Sequence, residues 1–146
     1  MNMKKLLPLL LLFSFLFSSC AGTLQKDDEA DAFVGAWSVS VIEHVVWGSA
    51  SGTLTDTGTI IITKISANRI QTSGYFRTQG EVVENVVYLE AMHSSDSAGY
   101  IDSVFGPATL SGNVITVTGN STGQLKDNGI SYPYRRTAEI TMIRKQ

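Results

Sequence analysis

Trp37-Ser38-Val39-Ser40-Val41-Ile42-Glu43-His44-Val45-Val46-Trp47 alternates almost perfectly between two sets of side chains. Successive side chains of a strand point to opposite faces, so Trp37, Val39, Val41, Glu43, Val45 and Trp47 share one face. That face is apolar apart from Glu43, and no helical period fits the stretch. It is therefore read as a long strand with one face turned to a core.

The same texture runs to the end of the chain. Thr57 to Ile65 is read as a strand that Ser51 to Thr55 extends, and Arg69 to Arg77 follows the Ser66-Ala67-Asn68 turn. Glu81 to Val83 is a short piece. Asn85 to Met92 carries Val86, Tyr88 and Glu90 on one face and Val87, Leu89 and Ala91 on the other. Met92 to Ala98 reads as a polar loop. Tyr100 to Leu110 is strand-like but broken at Gly106-Pro107, and Val114 to Thr118, Ser121 to Leu125 and Tyr134 to Lys145 complete the series. Asn128-Gly129 is a hairpin signal. Seven to nine strands joined by short turns predict an all-β domain over residues 33–146. The expected fold is a single antiparallel up-and-down β-barrel of about eight strands, with a two-sheet β-sandwich as the alternative.

A register follows if the first and last strands close the barrel. On the last strand Tyr134, Arg136, Ala138, Ile140, Met142 and Arg144 share a face. Antiparallel pairing then sets Arg144 over Trp37 at one end, where a guanidinium stacked on an indole contributes roughly 0.5–2 kcal/mol. At the other end it brings Glu43 toward Arg136, because an inward carboxylate needs a partner or water. Glu43, Trp47, Tyr88, Arg136 and Met142 are the candidate ligand-binding residues. A cavity lined by Val41, Trp47, Tyr88 and Met142 marks a ligand carrier, and an interior packed solid marks an accessory protein in which Glu43 and Arg136 form only an internal ion pair.

The first 32 residues have a different character. Lys4 and Lys5 precede the apolar stretch Leu6 to Phe17, which ends in Ser18-Ser19-Cys20. A membrane-spanning helix needs roughly 20 apolar residues, so residues 1–19 read as a cleaved signal peptide. Cys20 is the only cysteine of the 146 residues, which leaves no intrachain disulfide. Cleavage leaves 127 residues, one domain's worth, and nine basic against thirteen acidic side chains, a net charge of −4. That balance argues against nucleic acid as a partner. Residues 20–32 read as a lipidated start and a polar tether, with Asp28 to Phe33 able to form one helical turn. Lys26-Asp27-Asp28-Glu29 is read as a solvated acidic linker and is also similar to acidic export signals that place lipoproteins at the bacterial surface.

The segment ending at Cys20 resembles the lipobox of bacterial lipoproteins, with Phe17 where Leu is usual. That resemblance implies a lipid-anchored protein of the bacterial cell envelope, at the outer membrane, held through acylated Cys20. Gly35-Ala36-Trp37 resembles the Gly-x-Trp motif of lipocalins. Gly58-Thr59-Ile60-Ile61, Ser66-Ala67-Asn68-Arg69-Ile70 and Leu110-Ser111-Gly112-Asn113-Val114 look like the hairpins of small bacterial lipocalin-like lipoproteins. The resemblance implies a barrel closed at one end by Gly35, Trp37 and Arg144, holding a small hydrophobic ligand or contacting an envelope protein.

No pattern supports catalysis, a metal or a cofactor, and the expectation is a protein that is not an enzyme. His93 stands near Ser94, Ser95 and Asp96 without a nucleophile elbow. His44 and His93 are too isolated for zinc, and Glu43 and Glu90 form a glycosidase-like pair only if the fold turns both inward.

Overall fold

The computed structural model describes residues 28–146. Cys20, the signal segment and residues 20–27 of the expected tether lie outside them. The described residues form ten antiparallel strands: β1 (Gly35–Trp47), β2 (Ala50–Ser66), β3 (Arg69–Gly74), β4 (Gln79–Val83), β5 (Val86–Leu89), β6 (Met92–Asp96), β7 (Gly99–Phe105), β8 (Ala108–Ser111), β9 (Val114–Asp127) and β10 (Ile130–Arg144). They build one sheet in the order β10-β1-β2-β3-β4-β5-β8-β9-β7-β6, and β10 pairs with β9 as well as β1. That second pairing closes the sheet into a barrel and sets the sandwich aside.

Ten strands occupy eight positions in the wall. The pairing of Val86 with Thr109 continues without a change of register into that of Met92 with Ser103. β5 and β6 are thus one interrupted strand, and β7 and β8 its antiparallel neighbour, broken at Gly106-Pro107 as expected. Against β9 the register slips by one residue at that break, from Phe105↔Gly119 to Thr109↔Thr116. The extra residue is a bulge that bends the wall. Joining these halves gives an up-and-down meander.

The expected loop Met92–Ala98 is mostly strand. Its side chains are polar on both faces because the wall there meets solvent on both sides, while the backbone pairs with β7. Val114–Thr118 and Ser121–Leu125 are one strand, since Gly119 and Asn120 stay in register between β7 and β10. The strand expected over Arg69–Arg77 stops at Gly74, whose φ of 99° turns the chain.

One end of the barrel is a packed floor. Trp37, Val39 and Val41 of β1 meet Ile60 and Ile62 of β2, Ile115 and Val117 of β9, and Ile140 and Met142 of β10, all nearly inaccessible to water. Each such side chain contributes roughly 1.5–3 kcal/mol on burial. The expected helical turn is a 3-10 turn, Glu29–Ala32, packed under this floor with Ala30 and Phe33 fully buried. Residues 28–32, read as the end of a tether, are therefore docked on the domain. Lys64 ties them down through Asp28 and Asp31, at 2.5 and 2.7 Å.

The opposite end is open. Among the described residues β3 joins β2 only from Ile60 onward, the Tyr75 N–H adds one bond to Thr59 O at 3.0 Å, and Ala50–Gly58 pairs with β1 alone. β6 pairs only with β7. Between those two edges the wall is missing, and the upper half is a curved sheet whose inner face looks into the barrel.

Candidate functional site

Where the closed half gives way to the open half, the interior is not filled. A cavity of about 350 Å³ lies there, lined by Val41, Phe76, Phe105, Ala138 and Ile140 on its apolar side and by Glu43, Asp56, Tyr75, Ser103, Ser121 and Arg136 on its polar side. Its volume is at the small end of ligand pockets.

Strand register places the polar group. Glu43 faces Ala138, one inward step from Arg136, and Arg136 faces Ser121, which in turn faces Ser103. Directly opposed residues share a face, so all four side chains meet inside. Arg136 Nη1 donates to Glu43 Oε1 at 3.1 Å, and its Nη2 and Nε donate to Ser121 Oγ at 3.1 and 3.3 Å. The Ser121 and Ser103 hydroxyls are 2.8 Å apart. The side chains of Glu43 and Arg136 are 14% and 31% exposed, so water reaches the pair only through the open end.

Tyr75 and Phe76 reach the cavity from a corner, residues 75–78, between β3 and β4. Buried Thr72 clamps that corner. Its hydroxyl donates to Phe76 O at 3.1 Å and accepts from Thr78 N–H at 2.9 Å, while its own N–H donates to Thr78 O at 2.8 Å. Phe76 stacks on Phe105 with centroids 5.4 Å apart. The Tyr75 ring lies over Gly58, where a Cβ would come within 2.5 Å of it. Its hydroxyl donates to Asp56 Oδ2 at 2.9 Å. Burial, then that hydrogen bond and the nearby carboxylate, push the Tyr75 phenol up to about 12, so it stays a neutral donor.

The floor carries the other expected contact. Trp37 pairs with Arg144, whose guanidinium sits 4.4 Å from the indole centroid. Arg144 also donates to the carbonyls of Val34, at 2.7 Å, and Ala32. Trp37 Nε1 donates to Phe33 O at 2.9 Å. A Cβ on Gly35, whose φ is 138°, would lie 3.3 Å from the Arg144 guanidinium.

Of the residues expected around the cavity, Val41, Glu43 and Arg136 line it; Trp47, Tyr88 and Met142 do not. Tyr88 is on the outer face and 54% exposed, because Val87 of the same strand takes the inner side. Met142 is packed into the floor, 3% exposed. Trp47 has the inward parity but stands at the open rim, 39% exposed and edge-on to Tyr132 at 6.3 Å. Asp56, Tyr75, Phe76, Ser103, Phe105 and Ser121 were not anticipated. For Ser103 and Ser121 no hydrophobic signal exists; for Tyr75 and Phe76 the signal was Gly74, a strand breaker just before two aromatics.

The remaining polar groups are dispersed. Glu90 pairs with Arg69 on the outside at 2.5 Å, so Glu43 and Glu90 do not share an interior. His93 pairs with Asp102 of the neighbouring strand at 2.6 Å rather than with Asp96, and both are exposed. His44 is exposed and bonds Thr53 Oγ1 at 2.9 Å. Among the described residues no three His, Cys, Asp or Glu side chains gather as a metal site would require.

No family model and no curated protein matches the chain. Among solved structures, it is similar to a crystal structure of a protein of unknown function from the DUF3598 family of Nostoc punctiforme PCC 73102, with 10% identity and a TM-score of 0.37. The match covers 79% of this chain and 48% of the other, so the chain spans about half the length of that protein.

Proposed function

We propose that this protein is a non-enzymatic, lipid-anchored lipoprotein of the bacterial envelope, lipocalin-like in build, whose barrel holds a small apolar or amphiphilic molecule. The observation that carries the reading is the cavity of about 350 Å³ with an apolar floor under a cluster of oriented polar groups. Those two surfaces suit a molecule with an apolar body and one polar end. The anchor rests on the Lys4-Lys5, Leu6–Phe17 and Ser18-Ser19-Cys20 segment, which supports lipid attachment at the outer membrane.

A cavity-filling variant tests the binding reading. A Cβ on Gly119 would meet Phe105 and Ala138 at 3.5 and 3.8 Å, ordinary contact distances, so Gly119→Leu extends into the cavity. Small molecules extracted from the full-length protein, purified from its native membranes, are compared by mass spectrometry with those from the variant. A species present in the first and lost in the second is expected. Equal extracts remove the cavity as the binding site. For the anchor, incorporation of labelled palmitate is expected in the native chain and not in Cys20→Ser.

A second reading, an accessory protein acting through protein contacts, is favoured by a different observation. Ala50–Gly58 is a strand edge that no other strand of the described residues covers, its only charge is Asp56, and Leu54 within it is 57% exposed. Unprotected edges invite another strand. Crosslinking from position 54 to an envelope protein, unaffected by Gly119→Leu, would support it.

A further inference from the structure

We infer that the molecule held in the cavity is an organic cation: an ammonium head on a small apolar or aromatic body. This rests on the cavity being the binding site, and it follows from the charges the fold turns inward.

The cavity wall holds two carboxylates, Glu43 and Asp56, and one guanidinium, Arg136. Arg136 is already committed to Glu43 and Ser121. Asp56 meets only neutral donors there, the Tyr75 hydroxyl at 2.9 Å and the Thr57 backbone N–H at 2.8 Å. The wall therefore carries a net charge of −1, centred on Asp56. Arg77, on the same corner as Tyr75, lines a separate polar groove outside and does not neutralise it.

The path to the cavity has the same sign. On the open half, residues opposed across the strands share the inner face, which adds Asp96 of β6 and Asp127 of β9 at the rim and, among the described residues, no further cation. The Asp96 carboxylate also accepts the Ala98 N–H at 2.7 Å. Lys126 and Arg135, the nearest basic residues in sequence, have the opposite parity and lie on the outer face. The inner face thus carries an excess of negative charge, which draws cations toward the mouth and repels anions. Trp47, Tyr132 and Tyr134 on the inner rim add aromatic faces and edges, and a ring face attracts a cation. Phe76 and Phe105 supply a stacked apolar wall beside the carboxylate.

The test is calorimetric titration of the full-length protein with three probes that share one body: phenethylammonium, hydrocinnamate and phenylpropanol. The expected order is ammonium, then alcohol, then carboxylate, with about tenfold between the first and last. Asp56→Asn removes the charge and keeps one oxygen to accept the Thr57 N–H, while its NH2 can donate to the Tyr75 hydroxyl in place of the bond that hydroxyl gave. It is expected to shrink the preference for the ammonium over the alcohol to within about twofold. Tyr75→Phe removes the hydroxyl and keeps the charge, so the ammonium is expected to bind at least as well as to the native protein. Hydrocinnamate binding as tightly as the ammonium, or an unchanged preference in Asp56→Asn, overturns the cation assignment and leaves the cavity as a site for other ligands. Failure of all three probes to bind overturns both readings.

Discussion

Arg136 shows how much one side chain in this interior depends on its partners. It gives its donors to Glu43 and Ser121, and Ser121 meets Ser103, so removing any member strands another. Breaking a partly buried pair from one side is expected to cost about 1–3 kcal/mol, less than the 3–5 kcal/mol of a fully dry pair. In urea unfolding, Glu43→Gln and Arg136→Met are expected to destabilise separately and by less than their sum together; additive losses would mean no direct coupling. Tyr75 gives a pH signature. Its phenol is raised to about 12 in the folded state against 10 in the unfolded chain. The folded protein therefore holds the proton longer, and the stability this contributes is full below pH 10 and lost as pH rises toward 12. Ultraviolet titration is expected to show one late-ionising tyrosine, absent in Tyr75→Phe.

Two glycines of the open half set a contrast at the level of the strand. A Cβ on Gly123 of β9 would lie 2.0 Å from the Tyr100 carbonyl oxygen of β7; at Gly52 of β2 nothing lies within 4 Å. Gly123→Ala is expected to cost about 2–4 kcal/mol, the size of a forced backbone clash. Gly52→Ala is expected to be neutral or to add about 0.5 kcal/mol by stiffening the unfolded chain. Thermal unfolding of the two variants checks both. The strands also show where reading by pattern stops. The parity of β1 and β10 was legible because each has one plainly apolar face, and it led to Trp37/Arg144 and Glu43/Arg136. In Asn85–Met92 both faces carry apolar residues, so nothing local said that Val87 and not Tyr88 turns inward. The corner at residues 75–78 is held by Thr72, through hydrogen bonds that no hydrophobic pattern encodes.

The molecule as a whole divides into a closed half with a packed floor and an open half with two free edges. Local stability is expected to follow that division. In hydrogen exchange, amides of β1 and β10 between Trp37 and Val41 and between Ala138 and Met142 are expected to exchange only by global opening. The outward amides of Ala50–Gly58, which no strand of the described residues covers, are expected to exchange fastest among the strands. Uniform protection along β2 would show that its edge is covered in solution. The same division explains the cavity: β3 and β4 are short, so their side of the wall stops at the level of Glu43, and side chains from the corner only partly close the gap.

The amino-acid sequence by itself determined that the domain is all-β, that its first and last strands can close it, and which of their side chains face each other. Those are consequences of two-residue periodicity, which is local. Tertiary structure decided that β5–β6 and β7–β8 are interrupted halves of two wall strands, that β2 runs unpaired past β3, and that Asp56 and Tyr75 join Glu43 and Arg136 around an unfilled space. Each of these depends on register and on strand length relative to a neighbour, and a residue's neighbour across a sheet is set by the closure of the whole ring.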